Sequence, residues 1–148
     1  MKTEHVVRVA APRERVWAFL LDVPAAARCV PGVEDVVPSG DAYRGKLRVQ
    51  VGPIRLAIEG EVRVIARDDA AGTATLRLEG TDRRLGGGVR AEAALAVSGS
   101  APTDVRITSD VAVLGRLGEL GQPLMQRKAD ETMNAFASCL ERALGSAP

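Results

Sequence analysis

The chain has 148 residues, of which 46% are hydrophobic and 26% are charged, and its formal net charge is +1. These values are typical of a soluble globular protein, and the balanced charge argues against a nucleic-acid-binding surface. The length predicts one domain over residues 1–148. No apolar stretch approaches the roughly 20 residues that a membrane-spanning helix needs, so we expect no membrane anchor in this chain.

Cysteine and histidine are scarce. Cys29 and Cys139 are the two cysteines, and His5 is the single histidine. Two cysteines predict neither a metal cluster nor a disulfide framework, and we interpret them as small buried hydrophobic residues. This interpretation favours a reducing compartment, so the predicted location is the cytoplasm. One imidazole excludes a multi-histidine metal site, and the sequence predicts no metal and no cofactor.

The first predicted elements are a strand and two short helices. Residues 3–10 alternate between apolar and polar side chains, which predicts a strand. Residues 12–22 predict a helix, because proline suits the first helical turn. A second helical segment begins at Pro24. Pro31-Gly32 ends it, since proline disfavours helix in the preceding residue and glycine permits a turn.

The central part of the chain has the two-residue period of strands. Strands are predicted over residues 43–51, 54–64, 74–83, 89–97 and 105–113. Each has one apolar and one largely charged face, which is typical of a sheet with one buried and one solvated side. The short connections between them favour an antiparallel arrangement. Gly60 and Gly80 lie inside strands, where we expect the sheet to bend.

The apolar spacing changes to a helical period after Pro123. Met125, Met133 and Phe136 then share one face at three- and four-residue spacing, which predicts a helix as far as Leu144, about 33 Å long. The predicted order is a strand, two short helices, a meander of about six strands and one long helix. We therefore expect an α+β fold in which a curved antiparallel sheet wraps around the C-terminal helix.

The apolar faces of the sheet and the last helix are the candidate walls of a ligand cavity. The predicted lining consists of inward-facing residues of both elements: Tyr43, Val49, Ile58, Leu78, Leu95, Met125, Met133 and Phe136. The alternative is that these residues form an ordinary filled core. An isoprenoid or acyl chain would bind in such a cavity by burying apolar area, at about 0.8 kcal/mol for each CH₂ group.

Two turn segments are predicted to border the mouth of this cavity. One contains Pro31 and Gly32, and the other contains Arg83, Arg84 and Gly87. The two arginines would lie near an anionic or carbonyl head group. The alternative is a simple turn and a loose hairpin with solvated arginines. The glycine-rich segment is not a phosphate loop, because no Gly-Lys-Ser/Thr follows it.

The sequence contains little material for catalysis, and we predict no catalytic residue. Asp82, Ser109, Tyr43 and Asp35 have the parity of inward positions and would supply polar groups to a cavity. The alternative is that Asp82 lies at a strand end and that Ser109 forms a local hydrogen bond. The charged outer face of the sheet is interpreted as a solvated surface.

A series of short motifs extends over residues 3–144. In chain order they are Ala11-Pro12, Val16-Trp17, Cys29 to Glu34, Val51 to Ile54 followed by Gly60, Gly80 to Asp82, Gly86 to Gly88, and Gly115 to Gly121. In order and spacing these motifs resemble the CoxG family, named for the G subunit of carbon monoxide dehydrogenase. This family belongs to the START-like (SRPBCC) superfamily, whose members have the helix-grip fold.

The resemblance implies a hydrophobic pocket between the sheet and the C-terminal helix. CoxG-like proteins are associated with molybdenum-containing CO dehydrogenases and related hydroxylases, with suggested roles in membrane recruitment and in handling a lipid or quinone. Many have a C-terminal extension that is thought to reach the membrane, whereas this sequence ends at Pro148. We therefore expect a quinone- or lipid-binding accessory protein of a molybdenum hydroxylase complex, with at most peripheral membrane contact. The alternatives are a small START-like enzyme of the cyclase or hydrolase type, acting on an apolar substrate, and a ligand-free maturation or docking subunit.

Overall fold

The structure is a computed structural model, and it describes residues 1–145. Its elements, in chain order, are β1 (Lys2–Val9), α1 (Arg13–Leu21), α2 (Val23–Ala27), β2 (Val33–Ser39), β3 (Ala42–Val51), β4 (Ile54–Asp68), β5 (Thr73–Asp82), β6 (Gly87–Gly99), β7 (Thr103–Gly115), a 3₁₀ helix (Arg116–Leu120), α3 (Gln122–Leu140) and a π-helical turn (Glu141–Gly145). The predicted α+β order is confirmed. No helix within residues 1–145 is both long enough and apolar enough to cross a membrane.

All seven strands form one antiparallel sheet in the order β1-β7-β6-β5-β4-β3-β2. Strands β2 to β7 are neighbours in chain order, because their short turns allow only antiparallel pairing. They form the six-strand meander that the sequence predicts. β1 pairs with β7, which places the first strand at the edge opposite β2. The apolar–polar alternation of the sequence predicts no strand in the segment that forms β2.

A row of three glycines crosses strands β3, β4 and β5. Gly45 pairs with Gly60, and Gly60 pairs with Gly80. A Cβ atom on Gly60 would lie 2.1 Å from the carbonyl oxygen of Glu79 and 2.7 Å from the Cα of Gly80. The backbones therefore approach each other more closely than any side chain would permit. Such a close approach of the backbones is what the bend predicted at Gly60 and Gly80 requires.

Most of the buried core lies in two clusters at opposite ends of β6 and β7, both on the face of the sheet that α3 covers. The first cluster contains Val7, Val9, Ala11, Val16, Leu20, Leu95, Val97, Val105, Ile107, Leu140 and Leu144. The second cluster contains Val51, Leu56 and Leu117, with partly buried residues of α3 and of the β3–β4 hairpin packed around them. The long helix therefore contacts one cluster near its N-terminus and the other near its C-terminus.

Cys29 and Cys139 form a disulfide with a Cα–Cα distance of 5.3 Å. Cys29 is buried, as predicted. The prediction that the two cysteines form no disulfide is wrong, because the fold brings the segment after α2 to the last turn of α3. These residues are 110 positions apart in the sequence, a separation at which local sequence patterns carry no signal. Since disulfides persist mainly in oxidising compartments, the argument for a reducing compartment no longer holds.

Candidate functional site

The side chains between the two clusters are incompletely buried on the helix-bearing face of the sheet. Leu78 lies on β5, the central strand, and is 36% exposed. In the same row across the sheet, Tyr43, Val62, Ala91 and Val111 are half-buried. None of these five residues is a member of either cluster. We call the space above them the sheet–helix gap.

The helix shows the same incomplete burial from the other side. Among the residues of α3, all of which the structure describes, Leu140 alone is fully buried. Met125 packs at the margin of the second cluster, and Met133 and Phe136 pack at the margin of the first. A helix pressed onto the sheet along its whole length would bury its entire apolar face. The burial pattern therefore indicates that α3 crosses the sheet as a bridge between the two clusters.

The predicted lining residues lie either on the face of the sheet that α3 covers or on α3 itself. They occupy three different environments. Tyr43 and Leu78 lie in the row beneath the sheet–helix gap. Leu95 is buried within the first cluster. The other five are half-buried at the inner margins of the clusters: Val49, Ile58, Met125, Met133 and Phe136. Their role in binding a ligand remains a prediction.

The alternating pattern of β6 also places small residues on the helix-bearing face, and the predicted lining does not include them. Ala91 and Ala93 lie on the helix-bearing face and are half-buried, while Glu92 between them is exposed. Such small side chains leave space above the middle of the sheet. The predicted lining contains only larger side chains and leaves out Ala91 and Ala93.

The predicted mouth residues have other contacts in the structure. Gly32 has a φ of +85°, and its carbonyl oxygen accepts a hydrogen bond from the backbone N–H of Arg48. The Arg84 guanidinium donates to the carbonyl oxygen of Arg55, with a nitrogen–oxygen distance of 2.7 Å. Arg83 and Gly87 line a depression that includes residues of the charged face of the sheet. Pro31 is exposed. The assignment of these residues to a cavity mouth remains a prediction.

Asp82 has a structural role at the end of β5. Its side chain is 2% exposed, and its carboxylate accepts hydrogen bonds of 2.9 Å from the backbone N–H groups of Leu85 and Ala57. The hydrogen bond from Leu85, and then the one from Ala57, hold the pKa of Asp82 below its ordinary value. The carboxylate therefore joins the β5–β6 turn to β4. This is the strand-end alternative proposed from the sequence.

The substitution Asp82→Ala is expected to lower the free energy of unfolding at pH 7 by about 2–3 kcal/mol, because two backbone N–H groups lose their charged acceptor. The lowered pKa means that the carboxylate stabilises the fold fully above its ordinary pKa of 3.8 and progressively less as the pH falls below it. Urea unfolding at pH 7 and at a pH below this value measures the effect. The control is Asp41→Ala, at a side chain that is 83% exposed. If Asp82→Ala lost the same free energy of unfolding at both pH values, this role of the carboxylate would be contradicted.

Asp35 does not face the sheet–helix gap. The pairing of β2 with β3 shifts register between Glu34 and Val37, and Asp35 lies in this irregular segment with a φ of 55°. The shift reverses the alternation, so that Val37 is 53% exposed. The parity argument that linked Asp35 to Val33 is therefore wrong, because one inserted residue exchanges the two faces of a strand.

Polar side chains lie at the β1 side of the sheet–helix gap. His5 Nε2 is 3.5 Å from Asp130 Oδ1, and Gln126 Nε2 donates to the same oxygen at 3.2 Å. The hydroxyls of Thr3 and Ser109 are hydrogen-bonded to each other. The alternation placed Ser109 among the inward positions, but no local pattern could link His5 to Asp130. That contact depends on where α3 crosses the sheet.

Solved structures with little sequence identity have the same fold. A conserved protein from Geobacillus kaustophilus has a TM-score of 0.86 at 18% identity, covering 97% of this chain and 94% of that chain. The Zhui aromatase/cyclase of Streptomyces sp. R1128 has a TM-score of 0.62 at 22% identity, with 96% and 94% covered. Norcoclaurine synthase from Thalictrum flavum, in complex with dopamine and hydroxybenzaldehyde, has a TM-score of 0.64 at 16% identity, with 97% and 85% covered. These likenesses confirm the helix-grip, START-like fold.

No curated protein matches the sequence of this chain. A family model does match, and it describes CoxG, the G subunit of carbon monoxide dehydrogenase. The match extends over residues 6–145, which is nearly the whole chain and includes every element from within β1 to the π-helical turn. It confirms the resemblance found in the short motifs. The chain belongs to the CoxG family of START-like proteins.

Proposed function

We propose that this protein binds a hydrophobic small molecule in the sheet–helix gap. The observation that carries this proposal is the exposure of Leu78, which lies at the centre of the sheet and on the face that α3 covers. Apolar area that stays in contact with water forfeits about 25 cal/mol for each Å². A ligand in the gap would recover this free energy by burying Leu78 and its neighbours. Membership of the CoxG family and the START-like fold support the same function.

The composition of the surrounding walls suits a quinone-like or lipid-like molecule. Ala91 and Ala93 leave room above the sheet for a flat ring or a chain. Met125 and Met133 contribute unbranched, polarisable side chains from α3, and such side chains adapt to ligands of irregular shape. Both methionine side chains are half-buried, so a ligand in the gap would bury them further.

The physiological setting is a further part of the proposal. We propose an accessory role for a molybdenum-containing CO dehydrogenase or a related hydroxylase complex, and the name of the family, the G subunit of carbon monoxide dehydrogenase, supports the link to that enzyme. Action as a single domain over residues 1–148 and a location in the cytoplasm belong to the same proposal. Alkylation of intact cells tests the location: free thiols at Cys29 and Cys139 would support a reducing cytoplasm, whereas the paired state of the structure would contradict it.

Native mass spectrometry followed by organic extraction tests the binding proposal. The protein purified from its own host is expected to carry a stoichiometric adduct that is identified after extraction as a quinone- or lipid-like molecule. Ala93→Trp is expected to abolish the adduct, because the indole ring would fill the sheet–helix gap. The matched control is Ala94→Trp, one residue along β6, where the side chain is exposed on the opposite face.

The results for the two tryptophan variants show whether the ligand binds in the sheet–helix gap. Loss of the adduct in Ala93→Trp and its retention in Ala94→Trp would place the ligand in the sheet–helix gap. Equal retention in both variants would place it elsewhere and overturn the assignment of the site. A folded wild-type protein that carries no adduct and binds no member of a panel of quinones and fatty acids would overturn the function. A docking or maturation subunit would then be the better account.

A further inference from the structure

The two edges of the sheet differ in how they are protected against pairing with another strand. β2 lies at one edge, where the register shifts between Glu34 and Val37 and Asp35 has a φ of 55°. Pro38, also in β2, has no N–H group to donate. Bulges and prolines are devices that keep edge strands from pairing with other chains. β1, at the other edge, contains neither device and pairs with β7 in one unbroken register over all eight of its residues.

Half of the backbone groups of β1 point away from β7. The amino group and the carbonyl oxygen of Met1 bond the backbone of Val111 at 2.9 and 2.7 Å. Hydrogen-bonded pairs recur at every second residue of an antiparallel ladder, so the odd-numbered residues of β1 bond β7. The N–H and C=O groups of the even-numbered residues, from Lys2 to Arg8, therefore point toward the free edge. Within residues 1–145, none of the backbone hydrogen bonds outside the ladders involves these groups.

The side chains of the same residues lie on the face of the sheet opposite α3. Val6 is 55% exposed, which makes it the most exposed large hydrophobic side chain among the described residues. Glu4 and Arg8 flank it, two residues away on either side, and are also exposed. Exposed apolar side chains on an open edge strand favour pairing with another chain. This edge therefore presents an apolar residue between an acidic and a basic one.

A second copy of β1 complements this edge in one antiparallel register. If Val6 lies opposite Val6 of the second copy, Glu4 lies opposite Arg8 of the second copy, and Arg8 lies opposite its Glu4. Opposite charges in facing positions stabilise a strand pair, whereas like charges destabilise it. The neighbouring registers would place Val6 opposite Glu4 or opposite Arg8. Only the register centred on Val6 therefore matches apolar with apolar and acid with base.

The charges of β7 support the same register. Arg8 bonds Asp104 at 2.9 Å, and Glu4 bonds Arg106 at 2.8 Å. Across the paired edges, basic and acidic residues would alternate from Asp104 to Arg8 and on to Glu4 and Arg106 of the second copy. Charged side chains usually block an edge strand. Because these charges complement themselves about Val6, they select a register instead.

We propose that β1 is a self-association surface at which two copies of this chain form a symmetric antiparallel dimer centred on Val6. Each facing pair of even-numbered residues would exchange two backbone hydrogen bonds. The two-fold axis is perpendicular to the sheet, so both helix-bearing faces lie on the same side of one continuous sheet. An interface of one short strand pair buries little area, so the expected dissociation constant is on the order of 10–100 μM.

Sedimentation velocity of the full chain at concentrations from about 1 μM to 1 mM tests the proposal. The wild-type protein is expected to change from monomer to dimer over this range. Val6→Lys is expected to raise the dissociation constant at least about tenfold, because two like charges would face each other at the two-fold axis. Val37→Lys is the matched control, because Val37 is 53% exposed on the opposite edge of the sheet. It is expected to dimerise like the wild type.

A charge exchange tests the register. Glu4→Arg and Arg8→Glu are each expected to remain monomeric alone, because each variant puts like charges in both charged pairs. An equimolar mixture of the two variants is expected to dimerise at low ionic strength, since each charged pair then joins an acid and a base. Both positions are exposed, where ion pairs contribute little stability. Far-UV circular dichroism is therefore expected to show the wild-type fold in both variants.

The possible results decide between this dimer and its alternatives. A wild-type protein that stays monomeric at about 1 mM would overturn the proposal. Undiminished association of Val6→Lys, or a loss of association in Val37→Lys, would also overturn it, because another surface would then join the copies. If either charge variant dimerises alone, or if their mixture stays monomeric, the register fails and the proposal fails with it. Recovery of the dimer in the mixture alone would establish the pairing of Glu4 with Arg8.

Discussion

Removing the Cys29–Cys139 disulfide is expected to lower the free energy of unfolding by about 4 kcal/mol. The bridge closes a loop between residues 110 positions apart, and the chain-entropy relation gives close to 5 kcal/mol for a loop of that length. Measured losses for native disulfides range from about 2 to 5 kcal/mol. The effect acts mainly on the unfolded chain, which gains freedom when the bridge is absent. Urea unfolding of Cys29→Ala combined with Cys139→Ala, monitored by far-UV circular dichroism, measures it.

Reduction of the wild-type protein provides an independent control. Wild-type protein in dithiothreitol is expected to unfold at nearly the urea concentration of the double variant in the same buffer. Each single variant breaks the whole bridge, so Cys29→Ala alone should lose about as much stability as the double variant. If the losses of the two single variants were small and simply additive, and if reduction had no effect, the two cysteines would not be bonded in solution.

The substitution Gly60→Ala is expected to destabilise the fold by about 3 kcal/mol, at the upper end of the range for overpacking. The added Cβ would lie 2.1 Å from the Glu79 carbonyl oxygen and 2.7 Å from the Gly80 Cα. Both atoms belong to the backbone of β5, so a side-chain rotation cannot relieve the contact. The strands must separate at the row where Gly60 pairs with Gly45 and Gly80. Chemical denaturation at neutral pH gives the free-energy difference.

Gly118→Ala is the matched control for this prediction. A Cβ at Gly118 would meet only the Val113 carbonyl oxygen, at 3.6 Å, which is an ordinary contact. Its expected effect is within about 0.5 kcal/mol of zero, as for most substitutions outside the core. If Gly60→Ala were as stable as Gly118→Ala, the close approach of β4 and β5 would not be a property of the protein in solution.

The boundaries of the predicted strands differ from the structure mainly where the regular pleat is interrupted. The alternation predicts β5 over 74–83, and the strand extends over Thr73–Asp82, because its alternation is continuous. It predicts that β4 ends at Val64, whereas β4 continues to Asp68 after a register shift between Val64 and Ala66. An irregularity inserts a residue that breaks the two-residue period. β2 has no predicted range for the same reason.

The long helix shows both the strength and the limit of periodicity. Its apolar spacing predicts a helix from Pro123 to Leu144, and α3 extends over Gln122–Leu140 with a π-helical turn after it. Leu144 is still buried in the first cluster. The three- and four-residue spacing identifies the face that packs against the sheet. It carries no information about how far the helix axis lies from the sheet.

The sequence by itself determined which face the residues of the regular strand segments occupy, that one long helix covers the sheet, and which family the motifs resemble. These are consequences of local backbone geometry, since side chains alternate along a strand and recur every 3.6 residues along a helix. Tertiary structure alone decided that Cys29 bonds Cys139, that His5 meets Asp130, and that Leu78 stays exposed while Leu95 is buried. Such distances between remote residues depend on how the helix docks across two separate clusters, and no local period of the sequence encodes that arrangement.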